Sequence, residues 1–415
     1  MKRRDFLRLL PLGAAATLPM MQGAQAQSLW DMMNQSRSLS DAEREANSAA
    51  AIQAIDTVEP ILSYDTVNNL QMAIAQYEPF VAHGGWEQVP QETYGVTMGV
   101  SRDGVIQLKR RLLASVDMPM VEKVDQAFDA PTDAALRRFQ ARHGLQVNGQ
   151  VDEATWYALN VPAETRLHQL RLNLLRVQAM APALADRYVV VNIPAAFIET
   201  VEGGMVQRRH TAVVGRIDRQ TPILKSRIHQ INFNPFWNVP VSIIRRDLIK
   251  YMNENPNYLT EQRIRIYDGS GQELQPTDIN WQTEEAVNYS FRQDPGPQNS
   301  MGNVKINFHN PHAVYLHDTP TKGLFGENAR FYSSGCVRVD QVQDFVGWVL
   351  RDNGDWGQGE IANVFATGER KDVDVRNPVE IHTTYISAWA NRNGVVSFRD
   401  DVYEFDMAGK VTFKV

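Results

Sequence analysis

At Arg187 the spacing of apolar residues changes, and the change divides the chain into a helical front and a β-rich back. Ahead of it, Leu70, Ile74 and Tyr77, then Val105, Leu108 and Leu112, then Leu136 and Phe139, and then Leu167, Leu170, Leu174 and Val177 fall at helical intervals. Beyond it come short runs of strand composition at 187–193, 197–201, 210–214 and 228–233, the alternating Val304, Ile306 and Phe308, and 314–316. One plain helix follows: Val342, Phe345, Val346, Val349 and Leu350 lie at i, i+3, i+4, i+7 and i+8. Helical and alternating blocks bury their apolar faces in different ways, and 415 residues exceed what one core usually serves. The expectation is a multidomain α+β protein.

The first residues bear on compartment. Met1-Lys2-Arg3-Arg4-Asp5-Phe6-Leu7-Arg8 precedes an apolar run over 9–21 and the small-x-small box Ala24-Gln25-Ala26. This predicts a twin-arginine-type signal over 1–26 and a mature chain exported to the periplasm; a basic amphipathic helix that stays attached is the alternative. The run is short and holds Pro11, Gly13 and Pro19, and no later segment is long and apolar, so no stable membrane span is expected in the mature chain. A net charge of −6 argues against nucleic acid as a partner, because a phosphate backbone calls for a basic face.

Composition shifts set provisional domains. Residues 27–98 read as a lead-in, disordered or loosely helical to about 60, and a helical scaffold whose helix stops at Pro79 and Gly84-Gly85. Residues 99–162 form a compact three-helix unit, with Gly144 as a left-handed cap, Asn148-Gly149 as a turn and Asp152 as an N-cap. A linking helix takes 163–186. The mostly β domain takes 187–385, with an insertion at about 245–295 expected to act as a mobile cap, and 386–415 is expected to add edge strands.

Cys336 is the single cysteine, in Ser333-Ser334-Gly335-Cys336-Val337-Arg338, downstream of the histidine in Tyr315-Leu316-His317-Asp318-Thr319. In an oxidising compartment a lone cysteine has no partner within its own chain. It is either a small buried hydrophobe or a thiol with a chemical task. A thiol next to one imidazole and a cation is readily armed for acyl transfer.

Two resemblances sharpen this. The run from Leu136 to Leu145, Val147-Asn148-Gly149-Gln150-Val151-Asp152 and Thr155-Trp156-Tyr157-Ala158-Leu159-Asn160 resembles the three-helix peptidoglycan-binding module. The Ser-Ser-Gly-Cys-Val-Arg element, with Arg187 to Phe197, Phe233-Asn234-Pro235-Phe236-Trp237-Asn238-Val239-Pro240, Tyr315 to Thr319 and Gly323-Leu324-Phe325, resembles the large periplasmic branch of the L,D-transpeptidase family. The commoner pattern of that family has His before Gly-Cys, where this chain has Ser334. The resemblance implies a mostly β L,D-transpeptidase catalytic domain with a capping insertion. It implies Cys336 as nucleophile and His317 as general base and acid.

Further roles are expected around that pair. Gly335 would turn the backbone so that N–H groups face an oxyanion, and Cys336 would sit where the chain enters the 342–350 helix. Arg338 would hold a substrate carboxylate or lower the thiol pKa, its alternative being a surface ion pair. Tyr315, Ser334 and Trp237 would line the cleft, or be core and turn residues. His309, His312 and His317 do not have the spacing of a zinc site, so no metal and no other cofactor is expected.

The implied reaction takes peptidoglycan stem peptides as donor and acceptor through a Cys336 thioester, with carbapenem-type β-lactams as covalent inhibitors. The alternatives are a non-catalytic wall-binding scaffold, an L,D-carboxypeptidase with water as acceptor, and a cysteine peptidase of proteins.

Overall fold

A computed structural model describes residues 41–121 and 123–413, so the expected signal over 1–26 lies outside the described residues. The helical front comes first. Helices α1 (Asp41–Ile55) and α2 (Tyr64–Ala82) lead into α3 (Gly104–Ala114), α4 (Ala130–Arg142) and α5 (Glu153–Leu159), and α6 (Ala163–Met180) ends this part. Asp129 and Asp152 cap α4 and α5 by accepting the N–H of Thr132 and Thr155. Helix α2 runs through Pro79 to Ala82 rather than stopping there, since a proline in the last turn removes only one ladder bond. The 41–55 stretch of the lead-in is helical and packs on α4.

Val89, Val96, Val105, Leu108, Leu112, Leu136, Phe139 and Leu159 close a small core of their own, so this separate unit begins at Val89, ahead of the expected 99, and runs to Leu159. It is fastened to the rest by Arg142, whose guanidinium holds Asp117 at 2.6 Å and donates to the Val396 carbonyl at 2.8 Å.

The β-rich back begins with β1 (Arg187–Asn192), β2 (Phe197–Glu202), β3 (Met205–Gly215) and β4 (Leu224–Phe233). The short β5 (Trp237–Asn238), β6 (Ile264–Tyr267), β7 (Glu273–Leu274) and β8 (Ser290–Gln293) follow, then β9 (Val304–Phe308), β10 (Leu316–His317), β11 (Phe331–Ser333), β12 (Val337–Val339) and β13 (Lys371–Thr384). Nine of these form one sheet in the order β11-β3-β12-β10-β9-β4-β13-β1-β2, and β2 also pairs with β3, which closes the sheet on itself. Closure leaves no long free edge.

Helices α7 (Val342–Leu350) and α8 (Gln358–Thr367) pack at its end. The apolar stripe of α7 (Val342, Phe345, Val346, Val349 and Leu350) is buried in the sheet core with Val189, Val191, Ala212 and Val214. Strand β1 is buried on both faces, because Tyr188 and Val190 meet α2 and α6 on the other side. That double burial explains its unbroken apolar run.

Two expectations about boundaries are corrected. The cap begins at Trp237 rather than about 245: β5, β8, β6 and β7 form a separate four-stranded sheet, with Val239, Ile244, Leu248, Leu259, Ile266 and Phe291 as its own core. The C-terminal stretch adds no edge to the main sheet. Its strands β14 (Ala388–Ala390) and β15 (Val396–Phe398) pair only with each other. Their apolar side chains Ala388, Val396 and Phe398 are taken up by Leu70, Tyr77, Leu167 and Leu170 of the helical scaffold.

Candidate active site

Side-chain alternation builds the site. In β9, β10 and β12, Ile306, Leu316, Val337 and Val339 point into the sheet core. Successive residues of a strand point to opposite faces, so Lys305, Tyr315, His317 and Arg338 share the other face, and Cys336, which precedes β12 and also touches the core, borders that face beside Tyr315, Lys305 and Arg338. Register brings them together: His317 pairs with Lys305 across the antiparallel β9–β10 ladder and with Arg338 across the parallel β10–β12 ladder. Next to Cys336, the Val337 N–H donates to the Tyr315 carbonyl at 3.1 Å.

His317 is 4% exposed, and its Nδ1 lies 2.5 Å from the Asp318 carbonyl oxygen. A carbonyl only accepts, so Nδ1 carries the proton and Nε2 keeps the lone pair. Burial, then the Arg338 charge and the Lys305 charge, push the imidazole down to about 3 against the Asp318 hydrogen bond. It is therefore neutral at neutral pH. The Asp318 carboxylate is fixed in turn, accepting the Asn303 N–H at 2.9 Å and pairing with Lys322.

Cys336 is partly exposed. Burial pushes its thiol up, while the Tyr315 backbone N–H and hydroxyl, Lys305 and Arg338 pull it down. No hydrogen bond links Cys336 to His317 among the described residues, so the pair rests as neutral thiol and neutral imidazole. Arg338 forms no ion pair among the described residues, and its Nε is buried without a partner. Lys305 Nζ lies 4.4 Å from the centre of the Tyr315 ring, and burial lowers its pKa. The result is a thiol and an imidazole flanked by two cations, neither of which forms an ion pair among the described residues, although Asp372 acts on Lys305 from a distance.

The structure differs from the sequence expectation at two points. Cys336 immediately precedes strand β12 instead of leading into a helix; Val337 to Val339 stand between it and α7, so the positive helix end is not its neighbour. The Gly335 N–H donates to Ser333 Oγ at 3.1 Å and is not free to face an oxyanion in this conformation. Gly335 still has φ +115°, a conformation strained for any side chain. Its carbonyl accepts from Thr221 Oγ1 at 2.9 Å, which fixes the turn before the thiol.

Ser334 is exposed, and its Oγ accepts from Arg219 at 2.9 Å. Arg219 also grips Asp247 of the cap, with Nη2 to Oδ1 at 2.7 Å. Ser334 thus belongs to a latch between cap and sheet. Trp237 packs on the cap core, and its indole N–H is buried without a hydrogen-bond partner, on the side of Tyr315. Of the three histidines weighed as metal ligands, His309 stacks on His229 at 4.0 Å and His312 is exposed, away from buried His317. Among the described residues no group of three His, Cys, Asp or Glu is placed to hold a metal.

Lys305 and Asp318 are the site residues that sequence reasoning missed. The alternation of Val304, Ile306 and Phe308 already put Lys305 on the opposite face, but only the β9–β10 pairing shows that this face carries His317.

Comparison with known proteins agrees with this architecture. Residues 186–381 match the family model described as "L,D-transpeptidase catalytic domain", and residues 101–159 match "Putative peptidoglycan binding domain". A curated relative, the "Putative L,D-transpeptidase" of Haemophilus influenzae, is 32% identical over 219 residues, covering 52% of this chain and 44% of the relative. The chain thus matches less than half the length of that relative. Among solved structures, an L,D-transpeptidase from Xylanimonas cellulosilytica is 14% identical with a TM-score of 0.24, covering 70% of this chain and 98% of that one. An L,D-transpeptidase in complex with imipenem is also 14% identical with a TM-score of 0.24, covering 48% and 59%. Likenesses at this TM-score add nothing to the argument.

Proposed function

We propose that this chain, whose residues 186–381 belong to the L,D-transpeptidase family and follow a peptidoglycan-binding-type domain, cross-links wall peptides in the periplasm through a Cys336 thioester. The observation that carries the proposal is the register of His317 with Lys305 and Arg338, two cations that form no ion pair among the described residues and that both act on the Cys336 thiol. Cys336 Sγ attacks the carbonyl of the third residue of a donor stem peptide as His317 Nε2 takes the thiol proton. The carbon–sulfur bond forms, the amide C–N bond breaks, and His317 returns the proton to the departing D-alanine amine.

In the second half the side-chain amine of another stem attacks the thioester. His317 takes a proton from that amine, the thiol leaves, and it recovers a proton. The Cys336 N–H has no acceptor among the described residues, which leaves it available as a backbone donor to the oxyanion. Arg338 supplies a fork for a substrate carboxylate, Tyr315 and Trp237 wall the cleft, and the Arg219–Asp247 latch holds the cap near it. A closed cap limits water, which favours an amine acceptor over hydrolysis. Attack of the same sulfur on the strained ring of a carbapenem gives the inhibited acyl-enzyme.

The test is mass spectrometry of muropeptides after incubation with tetrapeptide-rich wall. Wild type forms dimers with loss of D-alanine, and Cys336→Ala forms none while still binding isolated sacculi. Dimers made by Cys336→Ala would overturn the reading. Shortened monomers alone from wild type would move it to a carboxypeptidase.

A further inference from the structure

On the opposite face of the sheet from Cys336, a cleft of about 550 Å³ opens between β2, β3 and the helices α7 and α8. Its size is that of a small-molecule site. His210 lines it and is 2% exposed. His210 Nδ1 lies 3.0 Å from the Asp340 carbonyl oxygen, so Nδ1 carries the proton and Nε2 is an acceptor, and that Nε2 has no partner. Burial keeps the ring neutral.

Trp348 supplies the complement: its buried indole N–H is a donor with no partner, and Arg187, 4.3 Å from the ring centre, holds the ring in place. An orphaned buried donor and an orphaned buried acceptor on one cleft call for a ligand that both gives and takes hydrogen bonds. Trp356, one face of which stacks on Phe233 at 4.9 Å, adds a second indole, and Gln358 adds an amide on the exposed rim. Charge is a poor guide to the ligand here, because Arg208 at the mouth is already paired with Asp344.

We propose that this cleft is a saccharide-binding site, in which one sugar hydroxyl donates to His210 Nε2 and another oxygen accepts from Trp348 Nε1 while the indoles pack against the ring carbons. Aromatic surface beside fixed neutral donors and acceptors is the chemistry that suits an uncharged polyhydroxylated ring. The proposal rests on the wall as substrate only in the choice of probe, an amino-sugar chain. It would hold a glycan strand on the side of the sheet away from the thiol, leaving the Cys336 face to the peptides.

The experiment is titration of the full chain, labelled with nitrogen-15 on tryptophan, with the uncharged N-acetylglucosamine tetramer chitotetraose. The Trp348 indole resonance, assigned by its loss in Trp348→Phe, shifts on titration. Trp348→Phe and the rim variant Gln358→Ala each weaken binding, the former by about five- to tenfold for a lost hydrogen bond. Both variants keep the wild-type melting temperature and still form the carbapenem adduct. Absence of binding overturns the proposal, and so does binding that leaves the Trp348 resonance unmoved, which would place the sugar elsewhere, on residues 101–159 for example. Chitotetraose carries no peptide, so this outcome is independent of whether Cys336 is acylated.

Discussion

His317 stands in register with Arg338 across two parallel strands, on the face that Cys336 borders. The cation therefore acts on both reacting groups at once, and it lowers the proton affinity of each. It lowers the pKa of the imidazole by repulsion and lowers that of the thiol by attraction.

Lys305 and Arg338 divide this work unequally. Lys305 bears more on the thiol, and Arg338 more on the imidazole. Lys305→Met should thus move the pH profile of Cys336 alkylation by iodoacetamide upward more than Arg338→Gln does. Arg338→Gln should raise the pKa of His317, followed by NMR of the imidazole, more than Lys305→Met does. Profiles that coincide with wild type in both variants would show that neither cation is felt at the site.

The neutral imidazole also makes acid stability a readout. A histidine held at about 3 when folded and near 6.5 when unfolded contributes stability that is fully present above pH 6.5 and is lost as pH falls toward 3, because the unfolded chain takes up the proton first. At pH 4.5 the loss from His317 is roughly 2–3 kcal/mol. Burial lowers His143, His210 and His382 as well, so the wild type loses stability through several groups. His317→Gln should give a shallower fall in urea midpoint between pH 7 and 4.5, by one proton's worth. An unchanged slope would mean that His317 is charged in the folded chain.

Gly302 tests the support behind the imidazole. It has φ +57°, and a Cβ there would come 2.4 Å from an Asp318 carboxylate oxygen. Gly302→Ala should cost about 1–3 kcal/mol in stability, from backbone strain and the displaced carboxylate. It should slow acylation more than it weakens donor binding, since Asp318 supplies the carbonyl that orients His317. An alanine variant with wild-type stability and acylation rate would show that the Asp318 position is not critical.

The sequence carried the helical stripe of 342–350, the three-helix unit and most strands, because each is written in local periodicity. It did not carry partners. Alternation in 386–398 has the look of an edge strand, but only tertiary contact shows that its apolar face is used by Leu70 and Tyr77. The cap boundary was missed because β5 is two residues long and its pairing with β8 spans some fifty residues. Cys336 was placed before a helix because the stripe starting at Val342 is strong, although Val337 and Val339 already alternate as a strand. The Gly335 N–H is taken by a side-chain hydroxyl, and backbone pattern alone does not reveal that bond. What was legible at the site was chemistry by residue type, in Cys336, His317 and Arg338; Lys305 needed the sheet register.

The central claim is that one sulfur carries the acyl group between two peptides. Its most direct test is to mix the purified chain with a tetrapeptide donor lacking any acceptor amine, quench in acid within the first turnover, and map the tryptic peptides by mass. The account predicts that the peptide holding Cys336 gains the mass of the donor acyl group, equal to the tetrapeptide less one D-alanine, in wild type and in no Cys336→Ser sample. Release of D-alanine with Cys336 unmodified and the acyl group found on another residue, or on none, would contradict it.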